Sequence, residues 1–511
     1  MNRLVVISPA PTANGDLHLG HLAGPFLAAD VCTRYARAAG TEALYGTGMH
    51  FTQNYIVTAA ARLGVAPEDL RERSAEQVRQ TLTTMGVEVD GFGCIGDRFT
   101  KLVMDFYDRL HSTGKLELRT VRFPYLPSTG EYLMDAYVTG GCPFCLADGY
   151  AGICESCGLP VAPGDLIGPR STLHPEEPLE YREADILVFP VERYRADLEA
   201  YFARTPMRPG MAQLIESALA GPLPDFPITQ PTSWGIPAPF PEVPGQVIYP
   251  HMEGMPWSMF TTALAAEKRG AVLTADDELW QEDSGSTVVY FLGLDATYPF
   301  AIVGTAMLTA LGGHVLPAQY ITNEFYELAN EKFSTSRGHV VSGRELAAEV
   351  PRDLIRFHLC ATSPEYQRTD FTHEALLRVS ETRLTAPWNR VAAAVDAWVD
   401  RGPLTVSADA RRTALRMIER FADGYELPRF SVTAVASTLA EQLGRLDRLA
   451  ASVTAETAGD LCHQVDVFLR CAAPILIDLA AGALPDTTLP GQVDADTITP
   501  KRLPRLAGAG G

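Results

Sequence analysis

Three groups of residues in this chain have types and spacings that could do chemistry. Cys142-Pro-Phe-Cys145 and Cys154-Glu-Ser-Cys157 are two CxxC pairs separated by eight residues. Each pair can turn two thiolates inward from one tight loop, and two such loops complete a tetrahedral sulfur site that suits Zn2+. Four sulfur ligands leave no open position, so the metal is expected to be structural. The second group is His18-Leu19-Gly20-His21, directly after a Pro/Gly-bearing turn. Imidazoles three residues apart share one helical face. At a first helical turn they join unpaired N–H groups and a positive partial charge, which favours a triphosphate. They can donate to phosphate oxygens as charge builds, and Gly20 lets the nucleotide come close to the backbone. The third group is Lys332-Phe333-Ser334-Thr335-Ser336, followed by Arg337-Gly338. A lysine and the hydroxyls of Ser334 and Ser336 on a glycine-ended loop can close on departing pyrophosphate. Taken singly, stacked surface histidines or a solvated charged loop would explain the last two groups. Their order, with the sulfur site between them, is the informative feature.

The elements that must position these groups can be read from the pattern. Residues 3–8 read as an apolar strand, Pro9 to Gly15 as a turn, and a helix follows from near Leu17, which together open a βαβ unit. Residues 43–48 read as the next strand, and 53–63 and 66–86 as helices. Residues 120–230 change character, with short strands, prolines and the clustered cysteines, and look like an insertion. Buried strands return at Val247 to Tyr249 and Thr287 to Phe291. From about residue 352 the pattern is helical and amphipathic to about 486, as in an antiparallel bundle. A length of 511 residues suggests about three domains. Hydrophobic content of 46% and charged content of 20% suit a globular protein with more than one core. The N-terminus reads as a buried strand, not a signal peptide. No membrane span is expected; the Ala/Leu-rich run near 464–484 is broken by Asp466, Arg470, Pro474 and Asp478. Of nine cysteines, five are scattered, which fits a reducing, cytoplasmic compartment. A net charge of −20 makes a polyanionic partner harder to hold, because phosphate contacts need local Lys and Arg.

Together these motifs resemble the methionyl-tRNA synthetase family of class I aminoacyl-tRNA synthetases. The strand into Pro11-Thr-Ala-Asn14-Gly15 and then His18 to His21 is similar to the family opening. The knuckle with its trailing Asp165 to Ser171, Trp234-Gly-Ile-Pro237, Phe291-Leu-Gly293-Leu294-Asp295, the loop from Lys332 to Ser336, and Asp353 to Phe371 resemble successive family segments. The resemblance implies an α/β fold: a Rossmann-like catalytic core split by a zinc-knuckle connective insertion, then an α-helical anticodon-type bundle. The corresponding segments are 1–115 and 231–345 for the core, 116–230 for the insertion, 346–380 for a stem-contact region, 381–487 for the bundle and 488–511 for a mobile tail. It implies ATP, Mg2+ and adenylate chemistry. Pro11, Asn14, Gly15, His18, Gly20, His21, Gly293, Asp295 and Lys332 would hold the nucleotide. His18, His21, Lys332, Ser334 and Ser336 would stabilise the transferring phosphates.

The departures from the family cluster where the amino acid and tRNA would be recognised. Gly48 stands where a family Asp holds the α-amino group. Ala10 and Thr12 replace a Leu and a Tyr, His251 a Trp, and Phe300 a His. With His50 and Met255 these residues would line the acid pocket. Leu294 replaces the Lys of G-K-D, and Thr335 the second Lys of the loop. No tryptophan follows Trp398, so anticodon-specific tRNA binding is not expected from the usual stacking platform. The favoured expectation is a synthetase-like enzyme that activates an amino or carboxylic acid other than methionine and passes it to an amine or hydroxyl acceptor, whether small molecule, carrier protein or tRNA. Two alternatives stand beside it. One is a genuine methionine–tRNA ligase with Trp388 or Trp398 as its anticodon platform. The other is a non-catalytic binding protein that kept the fold.

Overall fold

The computed structural model describes residues 3–333, 339–491 and 493–508. Ser334, Thr335, Ser336, Arg337 and Gly338 lie outside the described residues, as does the side chain of Lys332. The chain divides into two compact units. The first comprises Met1–Asp16, Leu44–Arg79 and Val89–Asn323; the second comprises Leu17–Ala43, Gln80–Glu88 and Glu324–Gly511.

In the first unit, continuous apolar runs form a central sheet of β1 (Arg3–Ile7), β2 (Ala43–Gly48), β3 (Gly91–Gly93), β4 (Ser286–Gly293) and β5 (Gln319–Asn323). Such runs suit strands covered on both faces. The spatial order is β5-β4-β1-β2-β3, and the β1/β4, β4/β5 and β2/β3 ladders are parallel. The chain winds outward one way through β2 and β3 and the other way through β4 and β5. That reversal beside β1 makes a switch point, where ligands bind outside the carboxyl ends of the strands. The residues following β1, β2 and β4, namely Ala10 to Thr12, His50 and Asp295, are at those ends. Glycine explains how tightly a helix covers β2 and β3. A Cβ on Gly91 would lie 1.9 Å from the Thr261 carbonyl oxygen, and one on Gly46 2.8 Å from Thr261 Oγ1. The helix Gly254–Lys268 therefore sits almost on the backbone of the sheet.

Two long antiparallel strands, Glu117–Leu126 and Glu180–Phe189, form the base of the insertion, pairing from Glu117↔Val188 to Tyr125↔Glu180. Beyond them, Val138–Gly141 pairs with Ile167–Ser171 and Asp148–Tyr150 and carries the knuckle. The helical run Leu294–Leu311 is long and apolar enough to cross a membrane by length and composition alone, but 61% of it is buried in the protein, as in a core helix.

The second unit is mainly helical, with Arg352–Ala361, Ala386–Asp396, Ala408–Tyr425, Val432–Ala451 and Ala458–Ala472 as its principal helices. Its fixed point is Arg356, whose side chain is wholly buried. The guanidinium donates to Asp30 Oδ2 at 2.7 Å, to the carbonyls of Pro474 and Ile475 at 2.7 and 2.9 Å, and to Met85 O at 3.2 Å. Asp30 also accepts from Arg34 Nε and from the Glu88 backbone N–H. One planar fork thus joins three segments distant in sequence. Elsewhere, Glu365 accepts from Ser431 Oγ and the Val432 N–H, placing a carboxylate at the start of the helix Val432–Ala451. The tail from 488, expected to be mobile, is anchored at several points among the described residues. Trp388 Nε1 donates to Pro504 O, Asn389 Nδ2 donates to Leu506 O, and Thr497–Ile498 pairs with Leu404–Thr405. Its Pro/Thr/Asp composition suggested disorder, but Val493, Leu503 and Leu506 supply enough apolar surface to anchor it.

Breaking this hub has a calculable consequence. Arg356→Ala leaves Asp30 buried with Arg34 as its one remaining side-chain cation and should destabilise the protein by about 3–5 kcal/mol. The double variant Arg356→Met/Asp30→Asn should cost less than the single one. Thermal melting of the three proteins side by side checks this.

Candidate functional site

The two histidines expected to handle phosphate lie in the second unit. His18 is the N-cap of the helical run that begins at Leu19, and its Nδ1 accepts from the Gly20 N–H at 3.1 Å. His21 Nδ1 in turn accepts from the His18 N–H at 3.4 Å. With both Nδ1 atoms acting as acceptors, each neutral ring carries its proton on Nε2, the tautomer that can donate to a phosphate oxygen. The rings stack with centroids 3.9 Å apart, and Phe333 stacks on His18 at 4.9 Å. Gly20 has no space for a side chain: a Cβ there would lie 3.0 Å from the His18 ring and 3.4 Å from Phe333. Phe333 of the second motif thus meets His18 of the first, and a backbone bridge joins His18 to Ser342.

The other predicted residues lie in the first unit. The loop after β1 is pinned to the strand end of β2: His50 N–H donates to Pro11 O, and the Ala13 N–H donates to His50 O. Ala10, Pro11, Thr12, Asn14 and Gly15 are all half-buried. Gly293 ends β4 and Asp295 follows it; a Cβ on Gly293 would lie 2.6 Å from Asp295 Oδ1, so that carboxylate folds back over bare backbone.

The seven predicted pocket residues separate by character. A polar group forms around His50. Its Nε2 lies 3.3 Å from Glu253 Oε2, and its Nδ1 lies 3.3 Å from Gln53 Nε2. His251 stacks near Tyr249 at 5.1 Å; burial, reinforced by His50, pushes its pKa down to about 3, so it is neutral at physiological pH. An apolar group surrounds Phe300, whose ring would meet a Cβ on Gly254 at 2.8 Å and lies 5.6 Å from Tyr290. Met255 joins it through Tyr290, its Sδ 3.9 Å from the hydroxyl. Ala10 packs against the same core from its edge. Gly48 belongs to neither group. A Cβ there would lie 2.4 Å from Gly93 O and 2.6 Å from Trp257 Cζ2, so the indole occupies the side-chain direction of residue 48.

Sequence reasoning missed Glu253, Gln53, Trp257 and Asp135. Glu253 lies between His251 and Met255 in a segment already singled out, but nothing in a sequence marks a glutamate as 2% exposed. Asp135, beside the knuckle, receives the Tyr249 hydroxyl at 2.9 Å, and burial pushes its pKa up to about 7.

The four cysteines meet as predicted: their Sγ atoms all lie within 4.8 Å of one another. The two loops repeat one turn. Cys142 O accepts from Leu146 N–H and Cys142 N–H donates to Ala147 O; Cys154 O accepts from Gly158 N–H and Cys154 N–H donates to Leu159 O. Leu146 and Gly158, at equivalent positions, both have positive φ, of 63° and 74°. Burial raises the Cys142 thiol, but the N–H groups of Cys145 and Phe144 outweigh it and lower its pKa, whereas burial keeps Cys154 and Cys157 raised. Four thiolates this close need a cation, and the donor set fits zinc.

In the second unit, a surface cavity of about 390 Å³ is lined by Arg420, Glu441, Gln442, Gly444, Arg445 and Arg448, with Glu441 Oε2 4.0 Å from Arg420 Nη1. Arg445 is held by the amides of Gln442 and Gln464, not by carboxylates, and its Nη2 has no partner among the described residues. Trp388 does not serve as an exposed platform, because its ring is fully buried; Trp398 remains half-buried.

Residues 4–393 match the family described as tRNA synthetases class I (M). The methionine–tRNA ligase of Thermoplasma acidophilum is 29% identical over 80% of this chain and 75% of its own length. That of Bacteroides fragilis is 30% identical over 72% of this chain, which spans about half (54%) of that relative's length. The fold is similar to that of Mycobacterium tuberculosis methionyl-tRNA synthetase in complex with methionyl-adenylate, with a TM-score of 0.76, 18% identity and full coverage of both chains.

The knuckle yields a direct prediction. Purified protein should carry about one zinc per chain, and Cys157→Ser should lose it and lower the melting temperature, since structural zinc contributes folding energy. Metal analysis by plasma emission on both proteins is the check.

Proposed function

We propose that this chain, which belongs to the class I tRNA synthetases (M), is an ATP-dependent ligase that forms methionyl-adenylate and transfers the methionyl group to tRNA. A methionine carboxylate oxygen attacks the α-phosphorus of ATP, and the bond to the β-phosphate bridging oxygen breaks. Pyrophosphate leaves and a mixed anhydride remains. A terminal ribose hydroxyl of tRNA then attacks the carbonyl, and AMP departs. No protein nucleophile is required; the work is positioning and charge stabilisation. His18 and His21 donate from Nε2 to the transferring phosphate. Lys332, Ser334 and Ser336 steady pyrophosphate, and Asp295 binds the ribose hydroxyls. Mg2+ accompanies the triphosphate and offsets charge on its oxygens. The zinc knuckle shapes the insertion over 116–230 and takes no part in the chemistry. Thiolate ligands imply a reducing compartment, and the cytoplasm is proposed on that ground.

The observation that carries this reading is the tautomer lock on His18 and His21 in a chain of this family. The named relatives favour methionine over the different acid that the pocket substitutions suggested, and tRNA over a carrier or small-molecule acceptor. The arginine-lined cavity supports an RNA contact on an otherwise acidic protein. One observation keeps a second reading open: Trp257 fills the space beside Gly48, which favours an acid held differently from methionine in the family.

Pyrophosphate exchange into ATP, run with zinc-loaded protein against each proteinogenic amino acid and a panel of related acids, separates the readings. Methionine should give the strongest signal. Exchange with a different acid alone would favour the second reading, and silence with tRNA present would exclude both.

A further inference from the structure

Activation changes the charge of the substrate. The amino acid enters as a zwitterion, and its carboxylate is consumed in forming the anhydride. The α-ammonium is then a cation with no internal partner. A cation taken from water into a protein pocket needs an anion within hydrogen-bonding reach. Gly48 offers none and has no room for one. Ala10, Met255 and Phe300 are apolar, Thr12 is uncharged, and His251 is neutral.

Within the segment that carries His251 and Met255, one residue bears a formal negative charge. Glu253 is 2% exposed. Its Oε2 faces His50 Nε2 at 3.3 Å, and its Oε1 is buried with no hydrogen-bond partner among the described residues. Leaving a buried carboxylate oxygen unmatched is unfavourable, and a donor placed against Oε1 would relieve it. His50 stands beside this carboxylate with its Nε2 making no hydrogen bond among the described residues, and its own backbone pairs with Pro11 and Ala13 of the loop after β1. The surrounding Ala10, Thr12, His50 and His251 are only half-buried, so a ligand can reach the group. Asp135 is the rival buried carboxylate in this unit. One of its oxygens already takes the Tyr249 hydroxyl, and burial holds it partly protonated near neutral pH.

We propose that Glu253 receives the α-ammonium group of the amino-acid substrate, the role that residue 48 cannot fill in this chain. His50 acts as a positioning residue that fixes the carboxylate. The inference rests on the reading of the chain as an amino-acid-activating enzyme.

The test compares full-length, zinc-loaded wild type with Glu253→Gln and Glu253→Asp. L-Methionine is the substrate in pyrophosphate exchange, and 4-(methylsulfanyl)butanoate, which lacks the amino group, is the competing ligand. Glu253→Gln should raise the methionine KM by about 10- to 100-fold, the range for losing a charge-assisted hydrogen bond. The KM for ATP and the inhibition constant of the amino-free analogue should stay at wild-type values. Glu253→Asp, which keeps the charge, should recover part of the methionine preference even if the glutamine variant folds poorly. An unchanged methionine KM in Glu253→Gln, or an equal weakening of methionine and its amino-free analogue, would overturn the assignment while leaving the proposed activity standing. Exchange with another α-amino acid would retire methionine, and that acid and its amino-free analogue then give the same comparison. A wild type that exchanges with no α-amino acid sinks both.

Discussion

The unit that carries the histidines depends on one buried guanidinium. Arg356 fills the hydrogen-bonding capacity of two carbonyls beside residue 475, a third near residue 85 and the carboxylate of Asp30. Asp30 lies on the helix Leu27–Ala38, which continues the run that begins at the histidines. A flexible tether there would let the His18 ring drift from its Gly20 N–H, and with it the tautomer that donates to phosphate. Buried ion pairs seldom add net stability over an apolar replacement. This one fixes where three remote segments meet, which a patch of leucines would specify less sharply.

The first unit solves a different problem. Its sheet reverses direction beside β1, and the ends of β1, β2 and β4 bring a polar cluster and an apolar cluster into the same unit. In the polar cluster burial keeps His251 neutral, and Glu253 supplies the carboxyl group. The apolar cluster of Met255, Phe300 and Tyr290 suits an unbranched side chain, and thioether contacts with aromatic rings are favourable. Trp257 fills the space beside Gly48, keeping the interior close-packed.

Much of this was legible in the residues. The CxxC spacing placed all four sulfurs together, because ligand geometry leaves few alternatives. The strand at 43–48 matched β2, since its apolar run has no competing helical period. The histidine spacing predicted a shared face, and the rings stack. What failed to show was burial of charge. Glu253, Asp135, Asp30 and Arg356 are indistinguishable in sequence from surface residues, since the partners that make burial tolerable are remote along the chain. The tail was misjudged for a related reason: three apolar residues among prolines are enough to dock it, and composition averages them away. The expectation of a different acid rested on several substitutions clustered in one pocket, yet a carboxylate can sit on a neighbouring element without the substrate changing.

The most direct measurement is to incubate the zinc-loaded protein with ATP and an equimolar mixture of the proteinogenic amino acids, then identify the enzyme-bound nucleotide by mass spectrometry. The account predicts methionyl-adenylate as the dominant species. A different aminoacyl-adenylate, or ATP bound unchanged, would contradict it.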